Sequence, residues 1–270
     1  ETLSAIYGSK TALFAYKGLK YGTGYDFVLP SGAITDVSGN IFGGLTLHFT
    51  TMERPQPTAR KFDVVVASDG TGDVKTVQEA IDKCPVNNAT PWLVFIKNGT
   101  YTELLRIPST KPYIHLIGQD KMKTVITYKV HAAVDGNDTK FSSTTLGVEG
   151  DDVTRINASD FYAENISFEN AWGVETQSGP MALAIRNTAD RAAFYNCRFR
   201  SYQDTWYTDE DAVNNRTYAN NCWIEGAVDY FYGEGNAYIE NTKFYNKRSG
   251  SVVTARCHKA GTLWGYVFQN

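Results

Sequence analysis

The sequence predicts an all-β fold: a right-handed parallel β-helix, in which one chain winds through stacked coils, preceded by a small separate β domain. Three observations predict it. Asn165-Ile-Ser-Phe168, Asn196-Cys-Arg-Phe199, Asn221-Cys-Trp-Ile224 and Asn241-Thr-Lys-Phe244 repeat one short pattern, and a fifth copy opens at Asn270. The asparagines are 31, 25, 20 and 29 residues apart, so the pattern is kept while the connections vary in length, as a solenoid allows. In each copy the first and third residues after Asn are apolar or small and the one between them is usually polar, which turns one strand face inward and the other to solvent.

Taken in chain order, residues 1–52 read as strands and turns. Tyr25-Asp-Phe-Val-Leu29 and Leu45-Thr-Leu-His-Phe-Thr50 alternate as half-buried strands do, and Asp36-Val-Ser-Gly-Asn40 between them has turn chemistry. The stretch from Phe27 to Asn40 resembles the closing strands of bacterial Ig-like domains. A complete sandwich of that kind needs roughly 100 residues, so 1–52 is expected to be a partial Ig-like β-sandwich acting as a spacer. Residues 53–61, with Pro55 and Pro57, read as a stiff linker. The solenoid then runs over 62–270, and Val77–Cys84, the one helical stretch in this reading, caps its N-terminal end.

The chain has 270 residues, 42% of them hydrophobic, and a net charge of −3. No apolar run reaches the roughly 20 residues of a membrane span, and no Lys/Arg run marks a nucleic-acid binder. The start at Glu1 is neither a methionine nor a secretory leader, so a removed leader or an internal fragment is expected. Four histidines and four cysteines lack metal-ligand spacing, and no metal is expected. Cys197 and Cys222 fall at equivalent places on successive coils. They are either a disulfide or two stacked thiols, and a strand spacing of about 4.8 Å against a disulfide Cβ separation of about 3.8 Å favours thiols.

Two segments carry candidate chemistry, Tyr202-Gln-Asp-Thr-Trp-Tyr207 and Val228-Asp-Tyr-Phe-Tyr-Gly233. Asp204 follows Asn196 by eight residues and Asp229 follows Asn221 by eight, so the two acids should occupy equivalent places on neighbouring coils. Trp206 should then meet Phe231, and Tyr207 should meet Tyr232. Two carboxylates that close do not both ionise comfortably: one remains an anion able to attack, and the other keeps a proton to donate. Gln203 can offer an amide N–H to a developing oxyanion. The alternatives are loop acids or a calcium pair.

Gly99-Thr-Tyr-Thr-Glu103, Tyr202-Gln-Asp-Thr205 and Asp229-Tyr-Phe-Tyr-Gly233 together resemble three ordered signatures of the pectin methylesterase family, over residues from about 62 to the end. The resemblance implies removal of methyl esters from pectin, with Asp229 as nucleophile, Asp204 as general acid and then base, and Gln203 in the oxyanion hole. It also implies a cleft lined by Thr145, Met181, Tyr207, Val228 and Tyr232, a mainly structural role for Gly99, Tyr101 and Glu103, and no organic cofactor. The polysaccharide is the expected partner of a secreted, periplasmic or cell-surface, bacterial monomer.

Two departures from the family pattern bear on activity. Met181 stands where the family has a glutamine, and the nearby Gln177 is a conceivable substitute. The family's catalytic arginine, in a Gly-Arg-Pro-Trp motif, is expected beyond Asn270, so the solenoid is expected to be C-terminally truncated and this stretch to have little or no esterase activity by itself. Arg186, Arg248 and Arg256 are expected to be surface residues rather than replacements. Competing readings are a calcium-dependent pectate lyase, a glycosidase, and a solenoid that binds carbohydrate without catalysis.

Overall fold

The computed structural model describes residues 2–5, 12–15, 18–52, 61–132, 152–208, 215–255 and 261–270. Thr145, Arg256, Cys257 and most of the expected linker lie outside them. The chain divides into two compact units, residues 1–60 and 61–270.

In the first unit Thr2–Ala5 pairs antiparallel with Ala12–Ala15, and Gly24–Leu29 with Leu45–Thr50. The turn at Asp36 is held by its own side chain, whose Oδ1 accepts from the backbone N–H of Ser38 and of Asn40. Gly24–Leu29 alternates between exposed and half-buried positions, whereas Leu45–Thr50 is exposed along its whole length. The expected half-burial of the second strand is therefore not met. A two-stranded sheet can bury a side chain only against its one neighbour, as Tyr25 does on Phe49 at 5.8 Å, and no second layer covers it among the described residues.

The second unit is a three-sheet parallel β-helix. Each coil passes through a six-stranded sheet, a five-stranded sheet and an eight-stranded sheet, counted over the described residues. One coil reads Ser167–Asn170, Leu183–Asn187 and Ala192–Tyr195; the next reads Arg198–Arg200, Trp206–Thr208 and Arg216–Asn220. Asn165, Asn196, Asn221 and Asn241 stand at the corner between the eight- and six-stranded sheets with φ of 58°, 52°, 56° and 49°. Asparagine tolerates that left-handed conformation better than most residues, which explains why the repeat keeps it. The Asn196 amide donates to Asn165 Oδ1 at 2.7 Å and the Asn221 amide to Asn196 Oδ1 at 3.2 Å, an amide ladder along the corner.

Behind the asparagines the interior columns form in the expected register. Ile166, Cys197, Cys222 and Thr242 are buried, and Phe168, Phe199 and Ile224 are fully buried in successive strands. Phe244, expected in the same column, is only half-buried, because its strand Lys243–Asn246 ends the six-stranded sheet and nothing described stacks beyond it. Cys197 and Cys222 are free thiols, and the Cys197 backbone N–H donates to Cys222 Sγ at 3.4 Å. Burial pushes the Cys197 thiol well above its ordinary range. Native protein should therefore leave both unalkylated by iodoacetamide, and denaturant alone, without reductant, should expose both. A requirement for reductant would show a disulfide instead.

The helix α1 (Val77–Asp82) begins at Thr76, which forms a capping box with Glu79, and buries Val77, Ala80 and Ile81. The Glu103 carboxylate accepts from the backbone N–H of Val77 and of Gln78, both at 2.9 Å. Tyr101 is buried and donates its hydroxyl to the Lys97 carbonyl at 2.8 Å. In this chain the Gly-x-Tyr-x-Glu stretch thus ties the first coil to its capping helix.

Candidate active site

The corner between the six- and five-stranded sheets is the place where the sequence puts its acids. Arg198–Arg200 and Trp223–Gly226 are adjacent strands of the six-stranded sheet, so the segments leaving them reach this corner one coil apart. Asp204 and Asp229 occupy it with φ of 60° and 45°. Gln203 bridges Val228, and the Asp204 backbone N–H donates to the Val228 carbonyl at 2.9 Å, which sets the two aspartates side by side in register. Asp204 is 4% exposed and Asp229 half-buried. The next strands along the chain, Trp206–Thr208 and Phe231–Gly233, pair Trp206 with Phe231 and Tyr207 with Tyr232. Their ring centroids are 5.2 and 4.8 Å apart. The indole and Phe231 fill the interior, while Tyr207 and Tyr232 take the outward slots.

The neighbouring Tyr230 anchors Asp229 to the interior. Tyr230 is fully buried, donates its hydroxyl to Asn246 Oδ1 at 2.6 Å, and has its phenol pushed up to about 12 by burial. It is thus a neutral spacer. On the adjoining face Glu169 and Glu225 are bridged by Arg200 at 2.5 and 3.1 Å, with Lys247 3.3 Å from Glu225. Desolvation raises the Glu225 carboxyl, but the Trp223 indole N–H, Arg200 and Lys247 together hold it below its ordinary range. These acids are bound into an ion network on the strands of the six-stranded sheet. Among the described residues no three His, Cys, Asp or Glu side chains converge as a metal site.

The coil before the dyad supplies the neighbours. A second helix, α2 (Ala171–Thr176), occupies this corner, where the sequence pattern predicts none. Asn170 caps it by accepting from the Trp172 N–H at 3.1 Å, and Gln177 ends it in the left-handed region. Gly173 inside it masks the helix in the sequence, yet it is required: a Cβ there would meet Ser201 Oγ at 2.1 Å. Gln177 donates its amide to the carbonyls of Gly173 and Val174 and is exposed, so its N–H groups are spent on the helix end. Met181 is 40% exposed, and Ala182 beside it donates to the Gln203 carbonyl at 3.2 Å. Gln203 is half-buried, with its amide oxygen 2.8 Å from where a Cβ on Gly179 would lie. Val228 is half-buried between the dyad's coils.

Arg186, expected to be a surface residue, belongs to this region, and so does His131. Arg186 is half-buried, in register with Tyr207, and its guanidinium carbon lies 5.0 Å from the Tyr207 ring centroid. Alternation from Ile185, which pairs with Trp206, would have put Arg186 in the outward slot beside Tyr207. His131 is buried against Trp172 with ring centroids 4.0 Å apart, one coil further back. Arg248 is exposed, as expected.

A family model described as Pectinesterase matches residues 63–262. A pectinesterase from Petunia integrifolia is 37% identical over 208 residues, covering 74% of this chain and 51% of that protein. A solved pectin methylesterase from carrot superposes with a TM-score of 0.66 at 30% identity, over 79% of this chain and 63% of that one. A pectin methylesterase from Erwinia chrysanthemi does so with a TM-score of 0.63 at 26% identity, over 78% and 67%. The chain spans about half the length of the petunia relative.

Proposed function

Since the chain belongs to the pectinesterase family, we propose that it hydrolyses methyl esters of pectin through the Asp204–Asp229 pair. The observation that carries this is the in-register placement of the two aspartates on adjacent coils, beside a glutamine amide and two outward tyrosines. In the first half-reaction an Asp229 carboxylate oxygen bonds to the ester carbonyl carbon. The oxyanion so formed accepts from the Gln203 amide, and collapse expels methoxide, which takes the Asp204 proton and leaves as methanol. An acyl anhydride on Asp229 remains. Asp204, now a carboxylate, removes a proton from water, and the resulting hydroxide adds to the same carbonyl. Collapse then frees the Asp229 carboxylate and the uronic acid, which loses its proton to solvent, while Asp204 is again protonated for the next cycle.

Tyr207, Val228, Tyr232 and Thr145 are proposed to line the sugar cleft, and Met181 to occupy the place of a second oxyanion donor. Substitution of Met181 by Gln should then raise kcat by roughly tenfold or more, within the ~10²–10³ that one such donor is worth. An unchanged kcat for Met181→Gln would remove that assignment. We further propose that residues 1–52 belong to an Ig-like sandwich joined through the proline-bearing linker, and that the protein acts outside the cell as a monomer from a bacterium. The antiparallel pairing in the first unit supports the first of these.

The test of the reaction is the product. Methyl-esterified pectin should yield methanol and uronate carboxylates in equal amounts, and a calcium chelator should not alter the rate. An unsaturated uronide formed only with calcium would establish a lyase, and binding without either product would establish a lectin-like solenoid.

A further inference from the structure

The outer face of the eight-stranded sheet, a different face from the one carrying the dyad, holds a groove of about 610 Å³. Its floor is built by register. Ala193, Tyr218, Tyr238 and Val267 are successive outward residues of neighbouring strands, and the small Ala193 leaves open the space that a larger side chain would fill. The Tyr218 and Tyr238 rings are nearly parallel, 13° apart with centroids at 6.0 Å, and each residue is 38% exposed. Their hydroxyls are tied down, Tyr218 to Glu240 at 2.7 Å and Tyr238 to Gln269, which fixes the rings. Trp264 forms a wall and is 63% exposed.

At the bottom lies Asn236, only 4% exposed. Its Oδ1 accepts from the Gly265 N–H at 2.8 Å, while its Nδ2 has no partner among the described residues. A buried amide N–H left without an acceptor is costly, on the order of 1–3 kcal/mol, and Asn236 is one of the residues that line the groove.

The charges of the rim choose the ligand. Arg191 is paired with Asp160 at 2.6 Å and with Asp190 at 2.7 Å, and Arg216 with Asp190 at 2.6 Å. The side-chain hydrogen bonds from these arginines hold both aspartates below their ordinary range, so all four groups are charged and cancel. Glu240 adds one more negative charge. With both lining arginines engaged by aspartates, the groove offers a polyanion no free cation and tolerates an uncharged ligand. Exposed aromatic rings pack against the C–H faces of pyranose rings, and the unsatisfied amide suits a sugar oxygen.

We propose that this groove is a second carbohydrate site, separate from the dyad, that holds a methyl-esterified and therefore uncharged stretch of uronan. The choice of a uronan rests on the pectin reading above; the aromatic and uncharged character of the site does not. The site would keep the esterified polymer on the solenoid while the dyad acts on another part of it, so affinity for long chains would exceed that for short ones.

Hydroxyl-radical footprinting with mass spectrometry tests this on the whole protein carrying Asp229→Ala, which prevents turnover. Highly methyl-esterified oligogalacturonide should lower labelling of Trp264 and Tyr238 severalfold, and de-esterified oligogalacturonide should not. Tyr218→Ala with Tyr238→Ala should weaken binding of the esterified polymer by about tenfold, the size expected for two aromatic contacts. In the otherwise unaltered protein, the same double change should leave kcat on a short esterified oligomer as it was. Protection equal with the de-esterified ligand, no protection at all, or rings already shielded before any ligand is added (by a second copy or by another part of the chain) would each overturn the proposal. Failure of the pectin reading would look different: methanol release would be absent while the footprint was kept or lost independently.

Discussion

Asp229→Ala and Asp204→Ala should each lower methanol release from esterified pectin by on the order of 10⁴-fold or more, the usual cost of removing a member of a catalytic unit. The two losses should not add, because neither acid performs its role without the other. Both positions lie in the left-handed region, at 60° and 45°. Alanine there carries a backbone penalty of about 1 kcal/mol that asparagine largely avoids, so Asp229→Asn and Asp204→Asn are the cleaner variants and should lose as much activity with less change in stability. Asp204 is 4% exposed and hydrogen-bonded through its backbone to Val228, so its replacement tests position as well as charge. An Asp229→Asn protein that kept more than a few per cent of activity would remove it as the nucleophile.

The second large effect is on stability. Phe199→Ala should cost about 3–5 kcal/mol, the range for truncating a fully buried phenylalanine. Its ring lies 5.6 Å from Phe168 and nearly parallel to it, 5.4 Å from Phe194 edge-on, and 4.1 Å from the Trp206 indole. Packing from neighbouring coils and from all three sheets therefore meets at one side chain, and the cavity would sit under the strand that leads to the dyad. Phe199→Leu keeps most of the volume and should cost much less. Urea unfolding with an unchanged slope would measure both. A cost below about 1 kcal/mol for Phe199→Ala would mean that the interior column is not packed as described.

Much of this architecture is written in the pattern of the chain. Every coil must bury one strand face on its neighbours, so the alternation after each repeated asparagine specifies which side chains stack. Equal offsets from Asn196 and Asn221 then align Asp204 with Asp229 and Trp206 with Phe231. The asparagine corner is legible because left-handed φ favours so few residues. The three sequence signatures identify the family, and the paired aspartates stand out because their spacing equals the repeat spacing.

The features that the chain alone leaves open depend on contacts between residues with no fixed sequence offset. The helix Ala171–Thr176 is decided by how closely Gly173 approaches Ser201 on the next coil, and local propensity gives no sign of it. Gln177 is a free donor by its sequence position, but the helix end claims its amide. Arg186 has the pattern of a surface residue, but the sheet register lays it over Tyr207. The neutral rim around Tyr218 and Tyr238 arises from Asp160, Asp190, Arg191 and Arg216 meeting across three coils. Periodic burial is a property of each strand and can be read from one strand at a time. Which polar groups end up satisfied is set by neighbours on adjacent coils, and only the stacked structure determines those.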